Sequence, residues 1–169
     1  MSKELCPQCG ADYLRKHGYY ERHLITVGFE GRIKIRRYRC RDCKKTVSLL
    51  PSFCHPKRTY GTEIIIKSLN EFYNKILTVF AVIMNILKTT GVDCSRQLLL
   101  HYRRRIEQNL NVLIMTLTDI QSLKNPIIHE EMGTKEKVRQ LLARIHYPED
   151  DSLKIYKRTG TTYLTLQPQ

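Results

Sequence analysis

The sequence predicts an α+β chain. A small antiparallel sheet comes first, then a three-helix module, then a short helix and a hairpin. Three observations carry that expectation. Two Cys-x-x-Cys pairs, "CPQCG" at Cys6 and Cys9 and "CRDCK" at Cys40 and Cys43, bracket a stretch rich in β-branched and aromatic residues. From Thr62 onward the apolar residues recur at the three-and-four spacing of helices. The basic charge also sits at the front. Residues 1–60 carry 14 Lys+Arg against 5 Asp+Glu, so +9 of the whole chain's +13, while 61–125 carry 8 against 5 and 126–169 carry 7 against 6.

The bulk composition excludes several classes. With 41% hydrophobic and 27% charged residues in 169, the chain has the balance of a soluble globular protein. The longest apolar run, "ILTVFAVIMNIL", has 12 residues, short of the roughly 20 that a membrane span needs. The opening "MSKELCPQ" lacks the apolar segment of a secretory signal. An intracellular, cytoplasmic protein without membrane association is expected. The excess of positive charge points to a polyanion, and nucleic acid is the commonest one.

In a reducing compartment, paired Cys-x-x-Cys motifs are read as metal ligands before disulfides. Two intervening residues let a tight turn bring both thiolates to one ion. Gly10 permits a positive φ just after the second ligand, and Pro7 fixes φ after the first. Cys6, Cys9, Cys40 and Cys43 therefore make a closed four-thiolate set, which predicts one structural Zn²⁺ and no open position for water activation. A redox pair or two disulfides is the alternative. His17 and His55 are read as ordinary surface residues, and Cys54 and Cys94 as small buried side chains.

Between the pairs, "DYLRKHGYYERHL" and "RIKIRRYRC" read as strands around a turn at "VGFEG", and "KTVSLL" as a third strand ending at Pro51. The whole reads as a zinc ribbon. Tyr38 is out of phase with Ile33 and Ile35, so a bulge is expected near Arg36-Arg37. Basic residues crowd here. Arg32, Lys34 and Arg36 share one strand face, with Arg37 and Arg39 beside them, a row suited to phosphates. Tyr19, Tyr20 and Tyr38 are placed to stack on bases or to pack beneath the arginines.

The first helix starts at an N-cap Thr62 and carries Ile65, Leu69 and Phe72 on one stripe. The second, about Ile76 to Lys88, is apolar nearly all round; it is read as the central buried helix, with Phe80, Ile83, Met84 and Leu87 inward. "TTGVDCS" interrupts it, with Gly91 at the C′ position and Asp93 or Ser95 as the next cap. One long helix then runs from about Ser95 to Ser122. Its stripe Leu99, Tyr102, Ile106, Leu110, Leu113, Leu117 and Ile120 is near a heptad, so it can pair with a second copy or pack on its own neighbours. In a helix–turn–helix unit the second helix reads bases with its N-terminal part. Arg96, Gln97 and His101 are the candidates for base edges, and Arg103, Arg104 and Arg105 for phosphates. The turn is longer than the usual 3–4 residues. "TKEKVRQLLARI" reads as a short amphipathic helix, and "LKIYKRTGTTYLTL" as a hairpin turning at Gly160. The expected division is 1–58 for the ribbon, 59–123 for the helix–turn–helix module and 124–169 for the cap.

"CPQCG…IKIRRYRCRDCKKTVSLLPSF", a helical segment and "SRQLLLHYRRRI" together resemble the N-terminal DNA-binding region of bacterial insertion-sequence transposases. The likeness is to a transposase-associated family with a zinc ribbon and a helix–turn–helix, over roughly residues 4–110. The knuckle cysteines, Arg37, Tyr38, Arg39, Leu49, Pro51 and Arg103 to Arg105 fall on its pattern. "GVDCSRQ" carries two extra residues, and Tyr102 stands where a tryptophan is usual. The resemblance implies double-stranded DNA as partner, with a second copy or a transposase chain as further partners.

Full transposases of that kind hold two metal ions on three separated carboxylates. Here Glu130, Glu131, Glu136 and the run Glu149-Asp150-Asp151 lack that spacing, and no nucleophile–base pair, phosphate loop or HExxH is found. The expected function is therefore DNA binding by a protein of mobile-element origin without its own catalytic domain. A protein-interaction adaptor or transcriptional regulator that pairs through the long helix is the alternative. RNA is not distinguished from DNA by a basic sheet with tyrosines.

Overall fold

β1 (Leu14–Thr26) and β2 (Phe29–Cys40) form a long antiparallel hairpin, and β3 (Thr46–Leu49) pairs with the far end of β2, giving the order β1-β2-β3. The computed structural model describes residues 5–74, 78–120, 131–145, 151 and 154–155. Among the described residues, the helices with defined bounds that follow the sheet are α1 (Thr62–Asn74), α2 (Val79–Thr90), α3 (Arg96–Gln108), α4 (Leu110–Ile120) and α5 (Thr134–Ala143). The chain is thus α+β, as its sequence predicts. Among the described residues, no helix is long and apolar enough to cross a membrane.

The hairpin turn is tighter than "VGFEG" suggests. Thr26 pairs with Phe29, leaving only Val27 and Gly28 to turn the chain. The predicted irregularity is present, but on the other strand. Lys16 pairs with Tyr38 and Tyr19 with Arg36, so His17 and Gly18 together face Arg37 alone. The extra residue lies in β1, where Gly18 has a φ of 96°. Either placement returns the inward face to phase, and Leu24 and Ile35 are both buried.

The strand ends nearest the turn meet the helices. Ile25 donates its backbone N–H to Thr59 and accepts from Gly61, at 3.0 and 2.9 Å, and Thr62 donates to the Phe53 carbonyl at 2.9 Å. The approach is close because Gly61 has no side chain: a Cβ there would sit 2.8 Å from Thr26 Cγ2. Thr62 is the first helical residue and not the N-cap, and its hydroxyl donates to the Ser52 carbonyl at 3.3 Å.

The helical core is centred on α1, which buries Ile64, Ile65, Ile66, Leu69 and Tyr73. α1 packs on α2, α3 and α5. This corrects the reading of α2 as the central helix. α2 turns Val82 and Ile86 inward, while Phe80, Met84 and Leu87 are exposed, Phe80 by 71%. Because the helix is apolar nearly all round, its composition leaves its phase undetermined. Thr78 caps it, accepting from the Ala81 N–H at 3.2 Å.

The single long helix is also corrected. Asn109, at φ −91° and ψ 0°, separates α3 from α4 and turns its N–H back to the Arg105 and Glu107 carbonyls. That backbone region suits the end of a turn, and asparagine tolerates it. The heptad-like stripe crosses the break intact: Leu99, Tyr102, Ile106, Leu110, Leu113 and Leu117 are all buried inside this chain. α5 is present as expected and buries Val138, Leu141 and Leu142 against this core. Lys154 and Ile155, read from the sequence as the start of a hairpin strand, are helical. The turn at Gly160 lies outside the described residues.

Candidate metal centre and basic surfaces

The two knuckles are built alike. In each, the residue after the second cysteine is left-handed: Gly10 at φ 75° and Lys44 at φ 59°. Gly10 donates to the Cys6 carbonyl at 2.8 Å, and Cys6 donates to Ala11 at 2.7 Å, which closes the first loop. Cys40 donates to Lys45 at 3.0 Å and closes the second. Lys45 Nζ donates to Gln8 Oε1 at 3.2 Å and ties the knuckles together. The Gly10 conformation follows from the residue type. Lys44 adopts it against its own preference, and sequence alone does not announce that.

Cys6, Cys9, Cys40 and Cys43 come together as predicted, with all four Sγ atoms within 4.8 Å of one another. Across the two knuckles, Cys6 and Cys43 are 3.7 Å apart and Cys9 and Cys40 are 3.6 Å apart. Four thiolates at about 2.3 Å from a zinc ion have an edge of about 3.8 Å, whereas a disulfide needs about 2.05 Å. The cysteines are free thiols with the spacing of a tetrahedral metal site. Their electrostatics agree with that donor set. The Gln8 backbone N–H, more than any other group, lowers Cys6 to about 7. The Ala11 N–H pulls Cys9 down, but burial and its neighbouring thiols win and push it up to about 11. A thiolate beside another thiolate is disfavoured until a cation neutralises both. These four residues could hold one metal ion, plausibly zinc.

The other candidate ligands lie elsewhere. His17 is exposed on β1. His55 departs from the surface reading: it is fully buried, and burial drives its imidazole down to about 3. Cys54 and Cys94 are both buried.

Arg32, Lys34 and Arg36 share one face of β2, as alternation predicts, opposite His23, Glu21 and Tyr19. This face is less positive than its arginines suggest. Arg32 pairs with Glu21 at 3.4 Å, and His23 lies 3.4 Å from Glu30. Arg36 stacks 4.5 Å above the Tyr19 ring and donates to its hydroxyl. Arg37 is half-buried, and Arg39 donates to the Lys44 carbonyl at 3.2 Å.

On α3, Ser95 is the N-cap, its hydroxyl accepting from Leu98 at 3.2 Å, and Gly91 ends α2 at φ 70°. The first turn of α3 exposes Arg96 and Gln97, while Leu99 and Tyr102 anchor its other side. At about 100° per residue, the remaining candidates fall on two sides of the helix. Arg103 points one way. It pairs with Glu107 at 3.1 Å, lies 5.5 Å from the Phe72 ring, and shares Glu107 with the Tyr73 hydroxyl, which donates at 2.7 Å. Gln97, His101, Arg104 and Arg105 lie on the other side.

Residues 6–84 match the family model described as a domain of unknown function, DUF6431. The match takes in the cysteine cluster, the sheet, α1 and the first half of α2, and stops short of α3. No curated protein and no solved structure matches the chain.

Proposed function

We propose that this is a double-stranded-DNA-binding protein of mobile-element, transposase-related origin. One observation carries the reading. α2, the Gly91–Ser95 turn and α3 are arranged so that a capped helix exposes Arg96 and Gln97 at its start while Leu99, Tyr102 and Ile106 hold its back in the core. A helix held in this way can enter a major groove end first. The net charge of +13 supports a polyanion partner. The ribbon's basic row would supply backbone contacts, its single zinc keeping the arm in shape. The transposase relation rests on the sequence resemblance.

The test is a binding selection on random duplexes with zinc-loaded protein, followed by affinity measurements across salt. A reproducible motif and a steep fall of log K with log[salt] are expected, and a flat plot overturns the reading. Arg96→Ala with Gln97→Ala should relax sequence preference.

A second reading, a protein-interaction adaptor, is favoured by the exposed Phe80, Met84 and Leu87 on α2. It predicts partner binding that survives the Arg96 and Gln97 changes and is lost on Phe80→Ser.

A further inference from the structure

Three polar atoms at the junction between the ribbon and α3 are shut off from water without a hydrogen-bond partner: Arg58 Nε, His101 Nε2 and the Tyr102 hydroxyl. Leaving such groups unsatisfied costs about 1–3 kcal/mol each, so their clustering calls for a cause. A tight turn aims Arg58 there. Lys57 takes a φ of 59°, and the Arg58 N–H bonds back to the His55 carbonyl at 3.2 Å. A non-glycine residue held left-handed is a strained element.

All the charges that act on the His101 ring are positive: Arg58, Arg105 and Arg104. Burial, and then these charges, hold its pKa below the ordinary imidazole value. Arg58 in turn feels Arg105 and the Tyr102 hydroxyl. Tyr102 is 1% exposed, with its ring against His101. Positive charges gathered around buried groups without partners suit an anionic ligand.

We propose that Arg58, His101, Arg104 and Arg105, with the Tyr102 hydroxyl, form a site for one phosphate group. This rests on the DNA-binding reading for its natural source, a backbone phosphodiester, but the same chemistry would take a free phosphate. The site joins a ribbon-side arginine to α3, so it clamps the second helix against the ribbon. Arg103, on the other flank and paired to Glu107, does not belong to it.

The test uses the full zinc-loaded chain and follows the His101 ring by NMR. Inorganic phosphate and a duplex are titrated separately. Wild type should show a saturable His101 shift with phosphate, and Arg58→Gln should lose it. Arg58→Gln should also lower the slope of log K against log[salt] for duplex by about 1. Absence of a saturable shift with both probes overturns the site, whether or not Arg58→Gln folds. Duplex binding whose affinity and salt slope are untouched by Arg58→Gln overturns its role in DNA binding while leaving the wider DNA reading intact. A phosphate shift in a protein that binds no duplex supports the site and overturns the DNA reading.

Discussion

In residues 5–49 the buried side chains are Cys6, Leu24, Ile35 and Cys40, two of them thiols of the four-cysteine cluster. In the helical half, α1, α3, α4 and α5 share one continuous core from Ile65 through Leu117 to Ile155, and a second cluster joins Ile64 to Val82, Ile86 and Leu99. The two halves reach order by different means. A long two-stranded hairpin has little to bury, so a metal ion on its four thiols at one end and docking at the other would be what orders it. The helices depend on apolar area. A perturbation aimed at one means should therefore spare the other half.

The largest effect follows from removing the metal. Structural zinc sites contribute about 10–16 kcal/mol of binding free energy, so Cys40→Ser or a chelator should collapse the amide signals of residues 6–49. Signals from α1, α3 and α4 should persist, and their loss would break the comparison. Next is Leu69→Ala, at a fully buried site of α1. It should cost about 2–5 kcal/mol in urea unfolding of the helices and leave zinc stoichiometry unchanged.

His55 sits between the halves and sharpens the contrast. Its ring stays neutral down to about 3 in the fold, whereas in the unfolded chain it protonates near 6.5. The unfolded state thus binds the extra proton between these values. The stability that His55 gives is complete above about 6.5 and is lost as pH falls toward 3, at up to about 1.4 kcal/mol per pH unit. Urea midpoints at pH 7 and 5 should differ more for wild type than for His55→Gln. The smallest effect is Lys44→Gly, which makes the second knuckle like the first. It should relieve the left-handed strain and stabilise the ribbon by about 0.5–1 kcal/mol, seen as slower zinc loss to a chelator.

What could be read from sequence divides along the same line. The metal ligands, the strands, Gly10, the Gly91 cap and the Ser95 cap are local chemistry, and each lies where its residue type demands. The phase of α2 was not legible, because Phe80, Met84 and Leu87 are as apolar as Val82 and Ile86, and only the neighbours decide. The break at Asn109 was hidden by an apolar repeat that continues through it. Arg103, read from the sequence as a phosphate contact, is instead paired to Glu107 four residues on, and the Tyr73 hydroxyl that shares Glu107 comes from another helix. The junction of Arg58 with His101 has no signature in the chain, since the two are 43 positions apart (101 − 58).

The contact at Gly61 sets one more condition. There the arm and the helices meet backbone to backbone, with no side chain between them to stretch or slide. The two basic faces are therefore held like the jaws of a fixed gauge. A target gripped by both must offer its charges at one span. On the DNA-binding reading, lengthening each strand of the arm by two residues, which keeps every side chain on its face, would move the cysteine end outward by about 7 Å and should shift the footprint by about two base pairs.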